Sequence, residues 1–165
     1  MSRTLILIRH AKSDWSVSGQ KDFDRDLNSR GYSDAPRIGK RLSSLGVQPQ
    51  LIISSPAKRA KLTAELVTEQ INFDSNKIVF NEDVYEASLR TLLSLVNNLD
   101  NKYTEVAIFG HNPGFTWFAE YLTKDEINNI PTCGAISIRI DVDSWEEVSG
   151  GLGYTNWFIY PKLYK

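Results

Sequence analysis

The two histidines of this chain each come directly after a short apolar run. His10 follows residues 5–9, and His111 follows residues 106–110. Such runs are typical of strands that are buried on both faces of a parallel sheet, and ligands of these sheets bind beyond the carboxyl ends of the strands. If the two strands are neighbours, the imidazoles meet although about 100 residues separate them. This placement predicts a functional site that uses both histidines.

Two arginines indicate which chemistry the histidines serve. Arg9 precedes the first histidine, and Arg59 lies in the first turn of a helix predicted after a Ser-Ser-Pro sequence at residues 54–56. Guanidinium groups beside imidazoles disfavour a bound cation. They favour a tetrahedral oxyanion, which is held by bidentate hydrogen bonds and a helix N-terminus. Phosphate fits this description and zinc does not, so we expect no metal ion and no cofactor.

The elements that must position these residues alternate along the chain. Apolar runs predict parallel strands, and apolar residues at helical spacing between them predict helices. This alternation predicts a three-layer α/β/α sandwich with a mostly parallel central sheet. The predicted strands lie at residues 5–8, 51–53, 78–80 and 106–109, and the predicted helices lie around residues 35–45, 60–71, 88–96 and 115–122.

Three further segments complete the predicted architecture. Residues 135–142 and 156–160 predict two more strands, and the glycines at 150–153 favour a tight reversal between them. Residues 14–31 have no clear period and are rich in charge, so we expect a loop over the site.

Composition limits the possible partners and compartment. The 165 residues, 41% of them hydrophobic, predict a single domain over 1–165. A net charge of -1 implies no broad attraction to nucleic acid or to membranes. The single cysteine, Cys133, fits a reducing compartment, and the apolar run at residues 4–8 is shorter than a signal-peptide core. We therefore expect a soluble, cytoplasmic protein, whose oligomeric state stays open.

Several segments resemble the histidine phosphatase superfamily, the group that includes phosphoglycerate mutases. Its Arg-His motif and its second and third signatures are similar to residues 7–13, 54–60 and 110–114, in that order. The SixA-type phosphohistidine phosphatase branch in particular is similar to residues 24–31, 85–87 and 131–134. That branch usually has proline after Arg25, where this chain has Asp26. The resemblance covers nearly the whole chain and implies a phosphoglycerate mutase-like fold.

The resemblance also implies a mechanism. His10 is the expected nucleophile, which becomes phosphorylated on its ring. Arg9, Arg59 and a donor form of His111 would stabilise the charge on the transferring phosphoryl group. The remaining substrate-binding residues implied by the matching motifs are Arg25, Asn112 and Ser13. For Asn112, a role in shaping the turn before the following proline is an equal alternative.

A general acid is predicted less directly. Glu86 follows the third predicted strand, at the position where the superfamily often has a carboxylic acid. Glu82 and Asp83 compete for this role, and a solvated surface carboxylate is the alternative interpretation. An alkoxide leaving group needs the proton, whereas a phosphohistidine can be protonated from solvent. The identity of the acid is thus tied to that of the substrate.

The sequence therefore predicts a metal-independent phosphatase, with a phosphohistidine phosphatase of the SixA type as the leading function. Its partner would be a phosphorylated protein or a small phosphomonoester. A small-molecule phosphomonoesterase or a mutase of the same superfamily is the alternative, although a mutase needs longer insertions to exclude water. A non-catalytic phosphoprotein-binding module is a further alternative, but docking does not require two histidines.

Overall fold

The computed structural model describes residues 2–164, and all of its strands belong to one sheet. The strands are β1 (Arg3–Arg9), β2 (Leu51–Ser54), β3 (Val79–Phe80), β4 (Glu105–Gly110), β5 (Ala135–Ile140) and β6 (Gly153–Ile159). Their order across the sheet is β3-β2-β4-β1-β5-β6. The first four run parallel to one another, whereas β5 and β6 are antiparallel to their neighbours. The sheet is therefore mostly parallel, as predicted.

Four α-helices cover the two faces of the sheet. They are α1 (Ser29–Ser44), α2 (Lys58–Gln70), α3 (Leu89–Asn97) and α4 (Gly114–Thr123). Successive side chains of a strand point to opposite faces. Accordingly Leu5 and Leu7 of β1 pack in the core that includes α3 and α4, while Ile6 and Ile8 pack in the core with α1 and α2. This confirms the predicted three-layer sandwich.

The third strand differs from its prediction. Only Val79 and Phe80 form β3, and their exposed fractions are 47% and 42% instead of those of a strand buried on both faces. The reason is its position, because β3 is the edge strand and pairs with β2 alone. Lys61 of α2 lies over the ring of Phe80, with 5.8 Å between its ammonium nitrogen and the ring centroid.

The connection between β5 and β6 also differs from its prediction. Residues 141–152 do not form a tight reversal but include a turn of 3-10 helix, Trp145–Glu147. Trp145 is fully buried, and its indole N–H donates to the carbonyl of Tyr103 over 2.8 Å. Because the connection carries this large aromatic side chain into the core, it is longer than the tight reversal that the glycines predicted.

The chain leaves β1 and β4 toward opposite faces of the sheet. After β1 it continues into α1, and after β4 it continues into α4, which packs on the other face. A crevice opens between neighbouring parallel strands at such a point, and ligands of α/β sheets bind there. No helix within residues 2–164 is long and apolar enough to cross a membrane.

Candidate active site

The crevice between β1 and β4 brings the two histidines together. The parallel register pairs Arg9 with Gly110, the last residues of β1 and β4, and a histidine directly follows each of them. The ring centroids of His10 and His111 lie 5.3 Å apart, with an angle of 51° between the ring planes. The predicted proximity of the two imidazoles is thereby confirmed.

One hydrogen bond fixes the tautomer of His10. Its Nδ1 lies 2.7 Å from the carbonyl oxygen of Ala11, and since a carbonyl only accepts, Nδ1 carries the proton. Ala11 is held in turn, because its amide donates to Thr63 Oγ1 over 2.9 Å. Burial, together with the charge of Arg59, lowers the pKa of His10 to about 4 in spite of the hydrogen bond to Ala11. The ring is therefore neutral at pH 7, with a free electron pair on Nε2.

His111 takes the opposite tautomer. Arg59 Nη2 lies 3.4 Å from its Nδ1, and since a guanidinium only donates, Nδ1 accepts. The proton is then on Nε2, which donates to Ser55 Oγ over 2.8 Å. Burial, with the charges of His10 and Arg59, lowers the pKa of His111 to about 3. The sequence predicted that His111 donates to the phosphoryl group. For this its Nδ1 would have to take up a proton, which the charge of a nearby phosphoryl dianion would favour.

Asp22 lies in the fork of Arg59, a contact that the sequence analysis missed. Arg59 Nη1 donates to the carbonyl oxygen of Asp22 over 2.7 Å, and Nη2 donates to its carboxylate over 2.9 Å. The same carboxylate accepts from the Tyr85 hydroxyl over 2.6 Å and from Arg25 over 3.3 Å. Burial opposes ionisation of Asp22, but the hydrogen bonds from Tyr85 and Arg59 outweigh it and lower its pKa to about 2. Both terminal nitrogens of Arg59 are thus engaged by Asp22, and an oxyanion that binds Arg59 has to share or replace these contacts.

A cavity of about 200 Å³ lies at this site, and His10 and Arg59 line it whereas His111 does not. Arg9 lines the cavity from the end of β1. Its Nη1 donates to the carbonyl of Ile130 over 2.9 Å, and its buried Nε has no hydrogen-bond partner among the described residues. Within residues 2–164 no group of three or more His, Cys, Asp or Glu side chains is arranged to hold a metal ion. The cavity is lined by Arg9, His10, Lys12, Ser13, Trp15, Asp22, Arg59 and Thr132.

Ser13 and Arg25, both predicted to bind substrate, are placed differently. Ser13 lines the cavity, and its backbone forms a bridge to Leu27 at the end of the loop. Arg25 is buried but does not line the cavity. Its guanidinium carbon lies 3.5 Å from the centroid of the Trp15 ring, and it pairs with Asp22. Arg25 therefore supports two residues that do line the cavity, and direct contact with substrate stays a prediction.

Asp26 stands where the SixA-type branch usually has proline, and it anchors the loop to two helices. Its carboxylate lies 3.4 Å from the Lys58 ammonium of α2 and accepts from the Tyr32 hydroxyl of α1 over 2.6 Å. These contacts hold the loop over the site without the restricted backbone of proline.

The amide of Asn112 is engaged on both sides. Its nitrogen donates to Asn129 and to the carbonyl of Ile130, and its oxygen accepts from the backbone and hydroxyl of Thr116. This favours the role of shaping the turn after β4 over the role of binding substrate.

Glu86 does not line the cavity, although its predicted role as general acid requires it to reach the leaving group there. Its side chain is exposed, and its backbone is left-handed with φ of 50°. The neighbouring Tyr85 points inward, with its ring 5.4 Å from that of His111. A proton donated by Glu86 would need the loop to rearrange, so its role as acid stays a prediction.

A neutral histidine of fixed tautomer beside arginines, at the crevice of an α/β sandwich, is an arrangement that suits phosphoryl transfer. Residues 5–105 match the family model of the histidine phosphatase superfamily, branch 1. An uncharacterized chloroplastic protein of Arabidopsis thaliana is 33% identical over 165 residues, which cover 95% of this chain and 75% of that protein. The chain therefore belongs to the histidine phosphatase superfamily.

Solved structures of SixA proteins share the fold over almost the whole chain. SixA from Agrobacterium tumefaciens is 27% identical with a TM-score of 0.83, over 96% of this chain and 98% of that one. The protein histidine phosphatase SixA in complex with tungstate is 21% identical, also with a TM-score of 0.83, over 98% of this chain and 99% of that one. The family and these neighbours support phosphatase activity.

Proposed function

We propose that this protein is a metal-independent phosphatase that forms a phosphohistidine intermediate on His10, and that its substrate is a phosphohistidine of another protein. The observation that carries the proposal is the state of His10. Its Nε2 is unprotonated at neutral pH, because Nδ1 donates to Ala11 and because burial keeps the ring neutral. A ring in this state has the electron pair that a nucleophile needs.

The reaction has two displacements at phosphorus. First, Nε2 of His10 forms a bond to phosphorus as the bond to the leaving group breaks. Water then attacks the phosphohistidine, and Nε2 leaves with the electron pair of its bond to phosphorus. In both steps charge spreads over the three equatorial oxygens. We expect Arg9 and Arg59 to donate hydrogen bonds to them, together with His111 once its Nδ1 has taken up a proton.

The carboxyl group in the cavity favours the phosphohistidine substrate. Among the described lining residues only Asp22 has one, and its pKa of about 2 leaves it ionised at neutral pH. It therefore holds no proton for an alkoxide leaving group. The imidazole of a phosphohistidine can take its proton from solvent, so a site without a protonated acid is sufficient for it.

Trapping of the intermediate tests the proposal. The enzyme is mixed with a ³²P-phosphohistidine protein in the presence of EDTA and quenched during turnover. We expect label on the chain that is stable in base and lost in acid, and His10→Ala should abolish both label and hydrolysis.

His111→Asn is the matched control, because it changes the other histidine and leaves Nε2 of His10 in place. It should slow turnover but retain the label. Label that persists in His10→Ala would place the nucleophile elsewhere. Binding of the phosphoprotein without turnover would support a phosphoprotein-binding module instead.

A further inference from the structure

A second cleft of about 430 Å³, here called the side cleft, adjoins the cavity of about 200 Å³ beside His10, here called the catalytic cavity. Arg9, Lys12 and Thr132 line both spaces. The side cleft lies at the same edge of the sheet as the histidines, because β1 and β6 end there and β5 begins there. Its other lining residues are Arg30, Asp34, Asn129, Pro131, Tyr160, Pro161 and Lys162.

The side cleft is strongly cationic for a chain of net charge -1. Four of its lining residues are basic and one is acidic, which gives 4 − 1 = +3. The acid, Asp34, is buried and lies 3.7 Å from the side chains of both Arg30 and Arg37. Its charge is therefore offset within α1. By contrast, Lys12 and Lys162 are exposed, and within residues 2–164 neither forms an ion pair.

The catalytic cavity is too small to hold much beyond the reacting group. Ligand sites usually measure about 300 to 1,000 Å³, a range that includes the side cleft but not the catalytic cavity. The rest of a substrate must therefore extend past a wall of the catalytic cavity. Trp15 and Asp22 of the loop line only the catalytic cavity, whereas Arg9 and Lys12 also line the side cleft, so the side cleft is a continuous extension of the site.

We infer that the side cleft binds a second anionic group of the substrate, a carboxylate or phosphate next to the phosphoryl group that is transferred. The inference rests on the proposed function and adds the substrate class to it. In a phosphohistidine protein the group would be an aspartate or glutamate side chain close to the phosphorylated histidine. In a small phosphomonoester it would be a second acid group of the same molecule. Arg30 and Lys162 then determine specificity without contacting the reacting atoms.

Charge reversal in the side cleft tests this inference. The variant is Arg30→Glu/Lys162→Glu, and Lys162→Glu alone serves if the double variant does not fold. The matched control is Lys40→Glu/Lys77→Glu, which makes the same change of net charge at exposed lysines outside both cavities.

Two pairs of compounds report on the second anion, and each compound is measured as a substrate and as a competitor of p-nitrophenyl phosphate. One pair is a phosphohistidine peptide with aspartates beside the histidine and the same peptide with asparagines. The other is 3-phosphoglycerate and glycerol 3-phosphate, which differ by a carboxylate. The wild type should favour the acidic member of at least one pair. Charge reversal should lower its kcat/KM or its affinity about tenfold, as expected for one lost charge-assisted contact.

For p-nitrophenyl phosphate and for the two compounds without the second anionic group, the kcat/KM of the charge-reversal variant should stay within about twofold of the wild-type value. The control variant should match the wild type on every compound. Equal affinity of the wild type for both members of each pair, or an equal loss on every compound, would overturn the inference. Failure of the proposed function looks different. In that case neither peptide is hydrolysed, while the preference between 3-phosphoglycerate and glycerol 3-phosphate still decides the role of the side cleft.

Discussion

The chemistry of the site depends on which nitrogen of each histidine carries a proton. In His10 the Nδ1–H group donates to the carbonyl of Ala11, which leaves the electron pair of Nε2 free for the proposed attack on phosphorus. In His111 Arg59 donates to Nδ1, and the proton lies on Nε2 toward Ser55. Ser55 is thus a positioning residue for the second histidine. The only sequence signal for it is the Ser-Ser-Pro segment, which the sequence analysis used to place Arg59.

Glu86→Gln tests the predicted acid by its dependence on the leaving group. We expect hydrolysis of phosphohistidine and of p-nitrophenyl phosphate to change less than about tenfold, because neither leaving group requires a positioned acid. A loss of about 10²- to 10⁴-fold confined to an alkyl phosphate would establish Glu86 as the acid. Steady-state kcat/KM on the three substrates provides the measurement.

Two other results of this comparison have different meanings. An equal loss on all three substrates would contradict the expectation and indicate a role in folding or positioning. No loss on any substrate would leave Glu86 on the solvated surface.

At the scale of elements, the start of α4 sets the position of the loop that follows β3. A Cβ atom at Gly114 would collide with the carbonyl oxygen of Ala87. This close approach brings Tyr85 to the site, where it contacts the ring of His111 and donates to Asp22. The glycine is therefore required by packing and not by an unusual backbone angle.

Gly114→Ala should destabilise the protein, because the backbone of residue 87 must move to admit the methyl group. Overpacking of this kind costs about 1–3 kcal/mol, which for a chain of this size lowers Tm by about 3–10 °C. Ser94→Ala is the control, since Ser94 lies on the exposed side of α3. Thermal unfolding monitored by circular dichroism gives both values. An unchanged Tm for Gly114→Ala would show that the two segments are not in firm contact.

At the scale of the whole molecule, the two buried histidines make stability depend on pH. Their pKa values are lowered to about 4 and about 3 in the folded chain, against about 6.5 in an unfolded one. Between pH 6.5 and 4 the unfolded state binds more protons, so the free energy of unfolding falls as pH falls. The loss begins near pH 6.5 and levels off below the folded pKa values. Its slope is at most about 1.4 kcal/mol per pH unit for each histidine.

We therefore expect urea denaturation to give a free energy of unfolding about 2–4 kcal/mol lower at pH 5 than at pH 7. The double variant His10→Asn/His111→Asn should show a flatter profile over this range. Asp22 does not interfere, because its pKa of about 2 places its own contribution below pH 4. An equal slope in the wild type and the double variant would assign the pH dependence to other groups.

The sequence by itself determined the alternation of strands and helices and the meeting of the two histidines at one end of the sheet. Apolar periodicity is a local property, readable within about ten residues. A histidine at a strand end lies at the edge of a parallel sheet whichever way the loops run. For this reason His10 and His111 could be paired in advance, and Arg9 and Arg59 added to them.

The tertiary structure decided the rest. Asp22 meets Arg59 and Tyr85 across 37 and 63 residues, by a path of the loop that no local pattern encodes. The half-exposed β3 and the long connection to β6 depend on which strand lies at the edge and on where Trp145 finds room in the core. The protonation of both histidines likewise follows from burial and from partners distant in sequence, because a pKa is set by the surroundings of a group in space.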